Sequence, residues 1–565
     1  MTIPALRPFG CGFGFRSWRS FRIAATVEQV LLAASVYWVA SANGSFFGAA
    51  LAERALPEPA TWGYAAALAA MLVAGHVFLL AMFANRWLVK PMLAVLVVST
   101  AFASYFMQHY GTYMDPSMLR NVLHTDANEA RELFSGALVV HLLVYAAVPL
   151  ALLSRVRIVD RGWPKAVLVR LGVLLLAGTV AVVAILTVFQ PFSSFMRNHK
   201  EARYLITPAN YLWSLARVAT RDAQGMHAAR EPIGLDARPG PSWSAHKRPT
   251  VVVLVVGETA RAANWGLNGY ARQTTPQLSR LPVVNFRDVS ACGTSTEVSL
   301  PCMFAPVGRR DYDESRIQGS ESLLHVAARA GVSVRWRDNQ SGCKGVCDGL
   351  PTEAVSSIKG AGPCSDGRCM DEALLYGLDE RLTRAQGVQL LVLHQLGNHG
   401  PAYHRRYPEA FARFQPACED DDLQNCTREQ IVNAYDNALL YTDHVLARLI
   451  ATMNAHADQV DTAVVYVSDH GESLGEGNLF LHGMPYAIAP AVQTRVPMLT
   501  WMSAGFQNRN GFDTACLQRR AQQPASHDHL FHTVLGMLDV QTALYEPAWD
   551  ALRTCRGSSV ATAAR

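Results

Sequence analysis

The sequence predicts a chain of two parts, an α-helical membrane domain of five spans followed by an α/β domain built on a mostly parallel sheet. Half of its 565 residues are apolar, a fraction that is high for a soluble protein and low for one lying wholly in a membrane. The apolar residues are concentrated in the first third, whereas the remainder alternates short apolar runs with helical stretches. The predicted boundaries separate a basic tail, the membrane domain, a linker and the α/β domain: 1–22, 23–196, 197–245 and 246–565.

Five stretches without Asp, Glu, Lys or Arg are long enough to cross a bilayer, which takes about 20 mainly apolar residues. They are Gln29–Ala52, Trp62–Asn85, Pro91–Met114, Ser135–Ser154 and Gly172–Met196. The first stretch has an alternative interpretation as a cleaved signal peptide, because Ala40-Ser41-Ala42 resembles a cleavage site. The long charged leader before it and the apolar run that continues after Asn43 favour a retained span.

Lysine and arginine residues predict the orientation of these spans, since basic loops remain in the cytoplasm. They cluster in the N-terminal tail, the second loop and the fourth loop, which fall on one side if there are five spans. These residues are Arg7, Arg16, Arg19, Arg22, Arg86, Lys90, Arg155, Arg157, Arg161 and Lys165. The tail is therefore expected in the cytoplasm, and the acidic or neutral loops at 53–61 and 115–134 outside. An odd number of spans places everything after residue 196 outside as well.

Cysteine usage agrees with an exported second part. Of the 11 cysteines, Cys11 lies in the predicted cytoplasmic tail and the other ten lie between residues 292 and 555. An even number on the exported side suits disulfides in an oxidising compartment. Local spacing favours five pairs: Cys292–Cys302, Cys343–Cys347, Cys364–Cys369, Cys418–Cys426 and Cys516–Cys555. The second and third pairs have zinc binding as an alternative, although their spacing is not that of a C-x-x-C site.

The exported part predicts an α/β fold, because strands that are apolar on both faces alternate with helices. The predicted strands are Thr250–Val256, Val332–Arg337, Val388–Gln395, Ala463–Ser468 and Pro497–Trp501. The predicted helices include Glu321–Ala330, Asp371–Arg384, Thr427–Asn454 and His527–Leu538. In such sheets ligands gather beyond the carboxyl ends of the strands.

Metal-ligating side chains follow these strands directly. Glu258 comes after the first apolar run, Asp469 and His470 come after the fourth, and His399 follows the third. They are expected to converge although up to some two hundred residues separate them. Two carboxylates, an imidazole and a hydroxyl are a ligand set suited to zinc. Gly471 is expected to let the backbone bend so that Asp469 and His470 both turn inward.

The hydroxyl is expected from the segment bracketed by Cys292 and Cys302. It contains four candidate nucleophiles, Thr294, Ser295, Thr296 and Ser299. A hydroxyl becomes an effective nucleophile when a metal lowers its pKa.

Other polar side chains are expected near the site. His399 and His482 lie in loops near it, where either would hold phosphate, protonate a leaving group or ligate a second metal. Lys344 is a candidate partner for a phosphate oxygen, whereas His394 is expected to be buried structure.

Together these motifs resemble the lipid A phosphoethanolamine transferases, the class that confers polymyxin resistance. The resemblance covers nearly the whole chain. The motifs that carry it are Gly257-Glu-Thr-Ala-Arg261, Cys292-Gly-Thr-Ser-Thr296, Pro301-Cys-Met-Phe304, Trp336-Arg-Asp-Asn339, His394-Gln-Leu-Gly-Asn-His399-Gly-Pro-Ala-Tyr403 and Ser468-Asp-His-Gly-Glu-Ser473. The sequence departs from the family pattern at Glu297, where a small or apolar residue is common, and at Gln340, where asparagine is usual.

The resemblance implies an exported domain of the alkaline phosphatase/sulfatase-like fold and a role for each site residue. Glu258, Thr296, Asp469 and His470 would hold one tightly bound Zn²⁺, and Thr296 would be the nucleophile. His399, His482 and Lys344 would bind the phosphoryl group, with His399 and His482 as the place for a second zinc. In the second loop predicted to face outward, residues 115–134, called the outward loop below, Asn121, Thr125 and Glu129 would meet the ethanolamine head group. Their spacing of four residues predicts one shared helix face.

The implied reaction takes phosphoethanolamine from phosphatidylethanolamine and passes it, through a covalent phosphothreonine, to a phosphate of lipid A. The implied location is the inner membrane of a Gram-negative bacterium, with the catalytic domain in the periplasm among membrane lipids. We expect a monomer and no nucleic-acid partner. Transfer to a core sugar, or phosphoglycerol transfer on the same fold, is the alternative.

Two other classes fit the sequence less well. A sulfatase needs a Cys-x-Pro/Ser-x-Arg segment, which neither Cys292 nor Cys302 begins. A membrane sensor with an inactive hydrolase domain would not need a complete ligand set.

Overall fold

The computed structural model describes residues 22–52, 54–125, 127–225, 230–245, 248–358, 360, 364–365 and 368–557. Residues 1–21, with Cys11 and most of the predicted tail, lie outside the described residues. The chain divides into two compact units. The first comprises the residues up to Gln108 and Gly136–Asn210, and the second comprises His109–Ser135 and Tyr211–Arg565. The outward loop thus belongs to the unit of the α/β domain, and the boundaries predicted from sequence stay a prediction.

The first unit is helical. Four of its helices are long and apolar enough to cross a membrane: Pro59–Phe83, Val89–Tyr110, Gly136–Arg155 and Trp163–Thr187. A fifth span is made if the bent pair Val27–Ala42 and Gly44–Leu51 counts as one. These two helices meet at 60°. The bend falls at Asn43, whose side-chain amide donates to the carbonyl oxygens of Trp38 and Thr207 at 2.9 and 2.8 Å.

The last predicted span, Gly172–Met196, is displaced toward the N-terminus by about a third of its length. The helix begins at Trp163 and ends at Thr187, and a separate helix, Phe189–Asn198, follows it. The prediction excluded Lys165 and Arg170 because of their charge. Arg170 is tolerated because its guanidinium donates to the carbonyl oxygens of Ala81 and Ala84 at the end of a neighbouring helix.

The second unit is centred on an eight-stranded, mostly parallel sheet. Its strands, in chain order, are β1 Thr250–Gly257, β2 Val284–Ser290, β3 Ser333–Asp338, β4 Thr352–Ala354, β5 Val388–His394, β6 Asp461–Ser468, β7 Arg495–Met502 and β8 Ala525–Ser526. The order across the sheet is β8-β2-β7-β6-β1-β5-β3-β4. Only the pairings of β7 with β6 and with β2 are antiparallel. The predicted α/β sheet is therefore confirmed, and β2 is its main strand that the sequence reasoning missed.

The alternating side chains of β1 explain why both faces of this sheet are covered. Val252, Leu254 and Val256 pack into one buried apolar cluster, and the intervening valines pack into another on the opposite face. Helix Arg428–Ala455 covers the second cluster and helix Asp528–Met537 the first. The other helices of this unit include Pro116–His124, Ala127–Glu132, Thr296–Met303, Glu314–Gly319, Leu323–Arg329, Leu378–Thr383, Ala504–Asn510 and Thr514–Arg520.

The five predicted disulfides are all present: Cys292–Cys302, Cys343–Cys347, Cys364–Cys369, Cys418–Cys426 and Cys516–Cys555. Four close loops of ten residues or fewer and one joins positions 39 apart. The predicted helix Asp371–Arg384 is wrong as one element. Gly377 has a left-handed φ of 68° and separates a 3₁₀ turn from the helix Leu378–Thr383.

Candidate functional site

Strand register brings two carboxylates together at the carboxyl end of the sheet. Gly257 of β1 pairs with Ser468 of β6, so Glu258 and Asp469 each lie one residue beyond the same register pair. The backbone N–H of Asp469 donates to the carbonyl oxygen of Gly257 at 2.9 Å and continues this pairing. Both carboxylates are fully buried, which is costly for charged groups unless a partner compensates them.

An imidazole completes a three-residue cluster. One ligand atom each from Glu258, Asp469 and His470 lies within 4.8 Å of the others. His470 Nε2 is 3.4 Å from Glu258 Oε1 and 3.4 Å from Asp469 Oδ2. Its Nδ1 lies 2.9 Å from the carbonyl oxygen of Gly471, which can only accept, so Nδ1 carries the proton. Nε2, which faces the two carboxylates, is then the ring nitrogen that a metal ion would bind in place of a proton.

The electrostatics of this cluster call for a cation. Burial and the neighbouring Glu258 raise the pKa of Asp469 to about 6. Burial alone would lower the pKa of His470, but the carboxylates of Asp469 and Glu258 raise it to about 10. Burial opposes ionisation of Glu258, yet its contact with His470 holds its pKa below the usual value. The two buried carboxylates can thus stay close together only because a positive charge lies beside them. A bound metal ion supplies that charge as well as a proton does.

Two buried carboxylate oxygen atoms of the cluster also indicate a cation. Glu258 Oε1 and Asp469 Oδ2 accept no hydrogen bond within the part of the chain that the structure describes. A buried acceptor left without a donor is destabilising. Both atoms face His470 Nε2, so the donor set is two carboxylates and an imidazole, which fits zinc.

Of the four candidate hydroxyls, that of Thr296 reaches the cluster. Its Oγ1 donates to Glu258 Oε2 at 2.9 Å and lies 3.4 Å from His470 Nε2. The hydroxyls of Thr294 and Ser299 donate instead to the carbonyl oxygens of Met484 and Asp469, at 2.6 and 2.5 Å. Thr296 is also the first residue of its helix, where the helix dipole favours negative charge.

Backbone strain marks the same place. Thr259, directly after Glu258, has a φ of 52°, a conformation that is rare for a β-branched residue. Its N–H donates to Asp469 Oδ1 at 3.3 Å, and its carbonyl accepts from Tyr435 Oη at 2.6 Å.

Gly471 is required by a close approach. A Cβ at Gly471 would lie 2.0 Å from the carbonyl oxygen of Val492. Gly471 is not among the residues with a left-handed φ, so the close approach is the requirement that the structure shows, and the expected backbone bend stays a prediction.

Two further imidazoles extend the cluster. The ring of His482 lies 4.4 Å from that of His470 and 5.5 Å from that of His399, measured between centroids. His482 Nδ1 is 3.0 Å from Glu472 Oε2. His399 Nε2 is 3.1 Å from Glu129 Oε1, and this carboxylate raises the pKa of His399 although burial opposes it.

Lys344 lies close to the helix that Thr296 begins. Its Nζ donates to Ser341 Oγ at 2.9 Å and lies 4.0 Å from Glu297 Oε2. Glu297 is buried, and its Oε1 is 3.2 Å from His124 Nδ1. The cation and the carboxylate therefore balance each other beside the candidate nucleophile.

The outward loop is not one helix. The helix Pro116–His124 ends at Thr125, whose extended backbone separates it from Ala127–Glu132. The prediction that Asn121, Thr125 and Glu129 share one helix face is therefore wrong. The Thr125 hydroxyl donates to the Asn121 carbonyl oxygen at 2.8 Å, so it serves the end of the helix. Of these three residues, Glu129 is the one that the structure brings against a site histidine.

The sequence reasoning missed several residues that hold the site in place. Gln340 Nε2 donates to Glu258 Oε2 at 3.0 Å. Asp371 accepts from the N–H groups of Leu396 and Gly397, each at 2.9 Å, and so shapes the loop that carries His399. Asp371 is a single acidic residue shortly after Cys369, and no sequence pattern around it indicates that it binds this loop. His394, expected to be structural, is buried with Nδ1 2.8 Å from Asp338 Oδ1.

Comparison with known proteins matches two families, one for each half of the chain. Residues 250–540 match the family model described as Sulfatase, and residues 72–223 match the one described as Phosphoethanolamine transferase EptA/EptB. Phosphoethanolamine transferase EptA of Escherichia coli K12 is 38% identical over 539 residues, covering 93% of this chain and 96% of that protein. Phosphatidylethanolamine transferase Mcr-1 of Escherichia coli is 35% identical, covering 91% and 96%.

A solved structure resembles both units. It is that of the integral membrane protein lipooligosaccharide phosphoethanolamine transferase A from Neisseria meningitidis. The TM-score is 0.90 at 36% sequence identity, covering 94% of this chain and 99% of that one.

Proposed function

This chain belongs to the family of EptA- and Mcr-type lipid A phosphoethanolamine transferases, within the sulfatase and alkaline phosphatase superfamily, and on that premise we propose how its residues carry the reaction. It is an integral multi-pass membrane protein with a periplasmic catalytic domain, and it transfers phosphoethanolamine to lipid A. We propose Thr296 as the covalent nucleophile and phosphatidylethanolamine as the donor. We also propose that the boundaries 23–196, 197–245 and 246–565 separate its parts.

The observation that carries this proposal is the position of the Thr296 hydroxyl. It donates to the buried carboxylate of Glu258 at 2.9 Å and lies 3.4 Å from His470 Nε2. Glu258 is therefore placed to accept the proton as Thr296 Oγ1 attacks phosphorus. The disulfide between Cys292 and Cys302 spans this segment and limits its freedom to move.

Glu258, Asp469, His470 and Thr296 would hold one zinc ion. When bound there, zinc would lower the pKa of the Thr296 hydroxyl and stabilise the oxygens of the transferring phosphoryl group. A second zinc held by His399 and His482, whose ring centroids are 5.5 Å apart, is the alternative to the proton-donating and phosphoryl-binding roles proposed for them below.

The first step forms a bond between Thr296 Oγ1 and phosphorus and breaks the bond from phosphorus to the diacylglycerol oxygen. That oxygen leaves with a proton, which His399 is suited to give because its pKa is raised beside Glu129. In the second step a phosphate hydroxyl of lipid A attacks the same phosphorus and gives its proton to His399, while the bond from phosphorus to Thr296 Oγ1 breaks and Glu258 returns the proton to Thr296. Lys344 and His482 are proposed to hold the phosphoryl oxygens meanwhile.

The donor's head group is proposed to meet the outward loop. Glu129 is the carboxylate available for its ammonium, and Asn121 and Thr125 are the proposed hydrogen-bonding partners of its phosphate. Adding a primary amine to lipid A offsets negative charge at the outer surface. Because polymyxins are cationic, weaker binding of polymyxin is the expected consequence.

Mass spectrometry of the purified full-length protein tests the nucleophile. After incubation with phosphatidylethanolamine, we expect one phosphoethanolamine adduct, on Thr296, and none in Thr296→Ala, which should also leave lipid A unmodified. Ser295→Ala is the matched control, since the Ser295 side chain makes no capping hydrogen bond. An adduct on another residue, or lipid A modification by Thr296→Ala, contradicts the proposal.

A further inference from the structure

We propose that Arg406 and Glu132 are a positioning pair that holds His399 against the helix Ala127–Glu132 of the outward loop. This loop would then set the geometry of the chemical step. This inference rests on the function proposed above and adds to it two residues that do not touch the substrate. It follows from the contacts that link His399, Arg406, Glu129 and Glu132.

The first contact is to the side chain of His399. Glu129 Oε1 lies 3.1 Å from His399 Nε2, and the two side chains are 14% and 8% exposed. This ion pair fixes one nitrogen of the ring. A contact to the ring does not by itself fix the backbone of His399, which needs a second restraint.

The second restraint acts on the backbone of His399. Arg406 Nε donates to the His399 carbonyl oxygen at 2.6 Å, and the terminal nitrogen Nη2 of the same guanidinium pairs with Glu132. The planar guanidinium therefore binds two acceptors at once, which the single ammonium of a lysine would not reproduce.

Both carboxylates come from one short helix. Glu129 and Glu132 are three residues apart in Ala127–Glu132, so they project from neighbouring positions on one side of it. One holds the ring of His399 and the other holds its backbone through Arg406. The helix and the histidine are thereby joined at two points, and neither can shift without breaking a charged contact.

The contact between Arg406 and Glu132 is energetically costly to form because both side chains are buried. The side chains of Arg406 and Glu132 are 1% and 3% exposed. A buried pair has to offset a large desolvation cost and contributes little net stability compared with apolar side chains of similar volume. Positioning His399 is a use of the pair that apolar side chains could not provide.

The neighbouring residue offers a matched comparison. Arg405 pairs with Asp421 at 2.7 Å, and its side chain is 54% exposed. Among the residues that the structure describes, this side chain contacts His404 and Asp421 and not the outward loop. Arg405→Ala removes the same charge from the same turn and should leave transfer unchanged.

The two carboxylates of the helix should give different kinetic effects. Glu129 is proposed to bind the donor's ammonium, so its loss should raise KM. Glu132 is proposed to hold His399 in place, so its loss should lower kcat and leave KM for the donor within about threefold. Small misplacements of a reacting group reduce rates by up to about 100-fold.

The experiment measures transfer by the full-length enzyme in phosphatidylethanolamine vesicles with lipid A as acceptor, for Glu132→Gln, Arg406→Lys and Arg405→Ala. Rates are expressed per folded chain, with folding measured by thermal melting and gel filtration. We expect kcat to fall about 10- to 100-fold in the first two variants and to stay at the wild-type value in the third. A purely structural pair would lower the melting temperature while each folded chain kept its kcat.

Two outcomes overturn the inference. One is wild-type kcat per folded chain in Glu132→Gln; the other, decisive if that variant does not fold, is wild-type kcat in Arg406→Lys. Wild-type protein that leaves lipid A unmodified would instead refute the proposed function, so the two failures are distinguishable.

Discussion

Replacing Glu129 by glutamine tests how the enzyme recognises its donor. The substitution keeps the size of the side chain and an oxygen that can accept from His399, but it removes the negative charge. In the structure that charge faces His399 at 3.1 Å. In the donor complex it is proposed to face the ammonium of ethanolamine. The change should therefore weaken donor binding and leave the metal cluster intact, because Glu129 is not one of the three clustered ligands.

The size of the effect follows from the burial of the carboxylate. Glu129 is 14% exposed, so its hydrogen bond to an ammonium would be largely shielded from water. A hydrogen bond to a charged group contributes about 1.5–3 kcal/mol. That range corresponds to a loss of about 10- to 150-fold in kcat/KM for phosphatidylethanolamine. The ammonium contact is made in the ground state as well as the transition state, so its loss should raise KM. The loss of the charge that raises the pKa of His399 should also lower kcat.

The assay follows transfer to lipid A at several bilayer fractions of phosphatidylethanolamine, with zinc measured by elemental analysis of the same samples. Asp311→Asn is the matched control, since it removes a carboxylate from an exposed pair with Arg316 at 3.5 Å. Unchanged donor kinetics in Glu129→Gln would refute the reasoning and move ethanolamine recognition to the domain after residue 245. A loss of zinc in that variant would show that Glu129 acts on the metal site instead.

Three further predictions follow from the cluster and the disulfides. Asp469→Asn should lower bound zinc to well under one ion per chain, because it removes one of three clustered ligands; full zinc content would contradict the ligand assignment. Gly471→Ala should destabilise the domain by about 1–3 kcal/mol because its Cβ would lie 2.0 Å from the Val492 carbonyl oxygen, and an unchanged melting temperature would contradict this. Labelling of denatured, non-reduced protein should find one free thiol, that of Cys11, and a second would contradict the count of five disulfides.

The parts that the sequence predicted well are those with a local pattern. Strand β1 is a run of six apolar residues buried on both faces, and its end predicted the position of Glu258. The cysteine pairs with short spacing were predictable because a short loop leaves few alternatives. The prediction that Asp469 and His470 approach Glu258 needed only the rule that ligands gather at the carboxyl ends of parallel strands.

The parts that escaped prediction depend on contacts between distant segments. Strand β2 has polar residues such as Asn285 and Asp288 at half-buried positions, so its apolar pattern is weak. The extension of the last span to Trp163 depends on carbonyl oxygens that accept from Arg170. Arg406 carries no local signal, since its partner Glu132 lies 274 residues away.

The placement of the outward loop within the catalytic unit has a consequence for exchanging parts between relatives. A chimera joined only at the linker would combine the α/β domain of one protein with the loop of another. The residues equivalent to His399 and Arg406 would then face the loop carboxylates of a different protein. The natural module for exchange consists of two pieces of chain, residues 109–135 and 211–565, which form one compact unit although membrane-spanning helices separate them along the sequence.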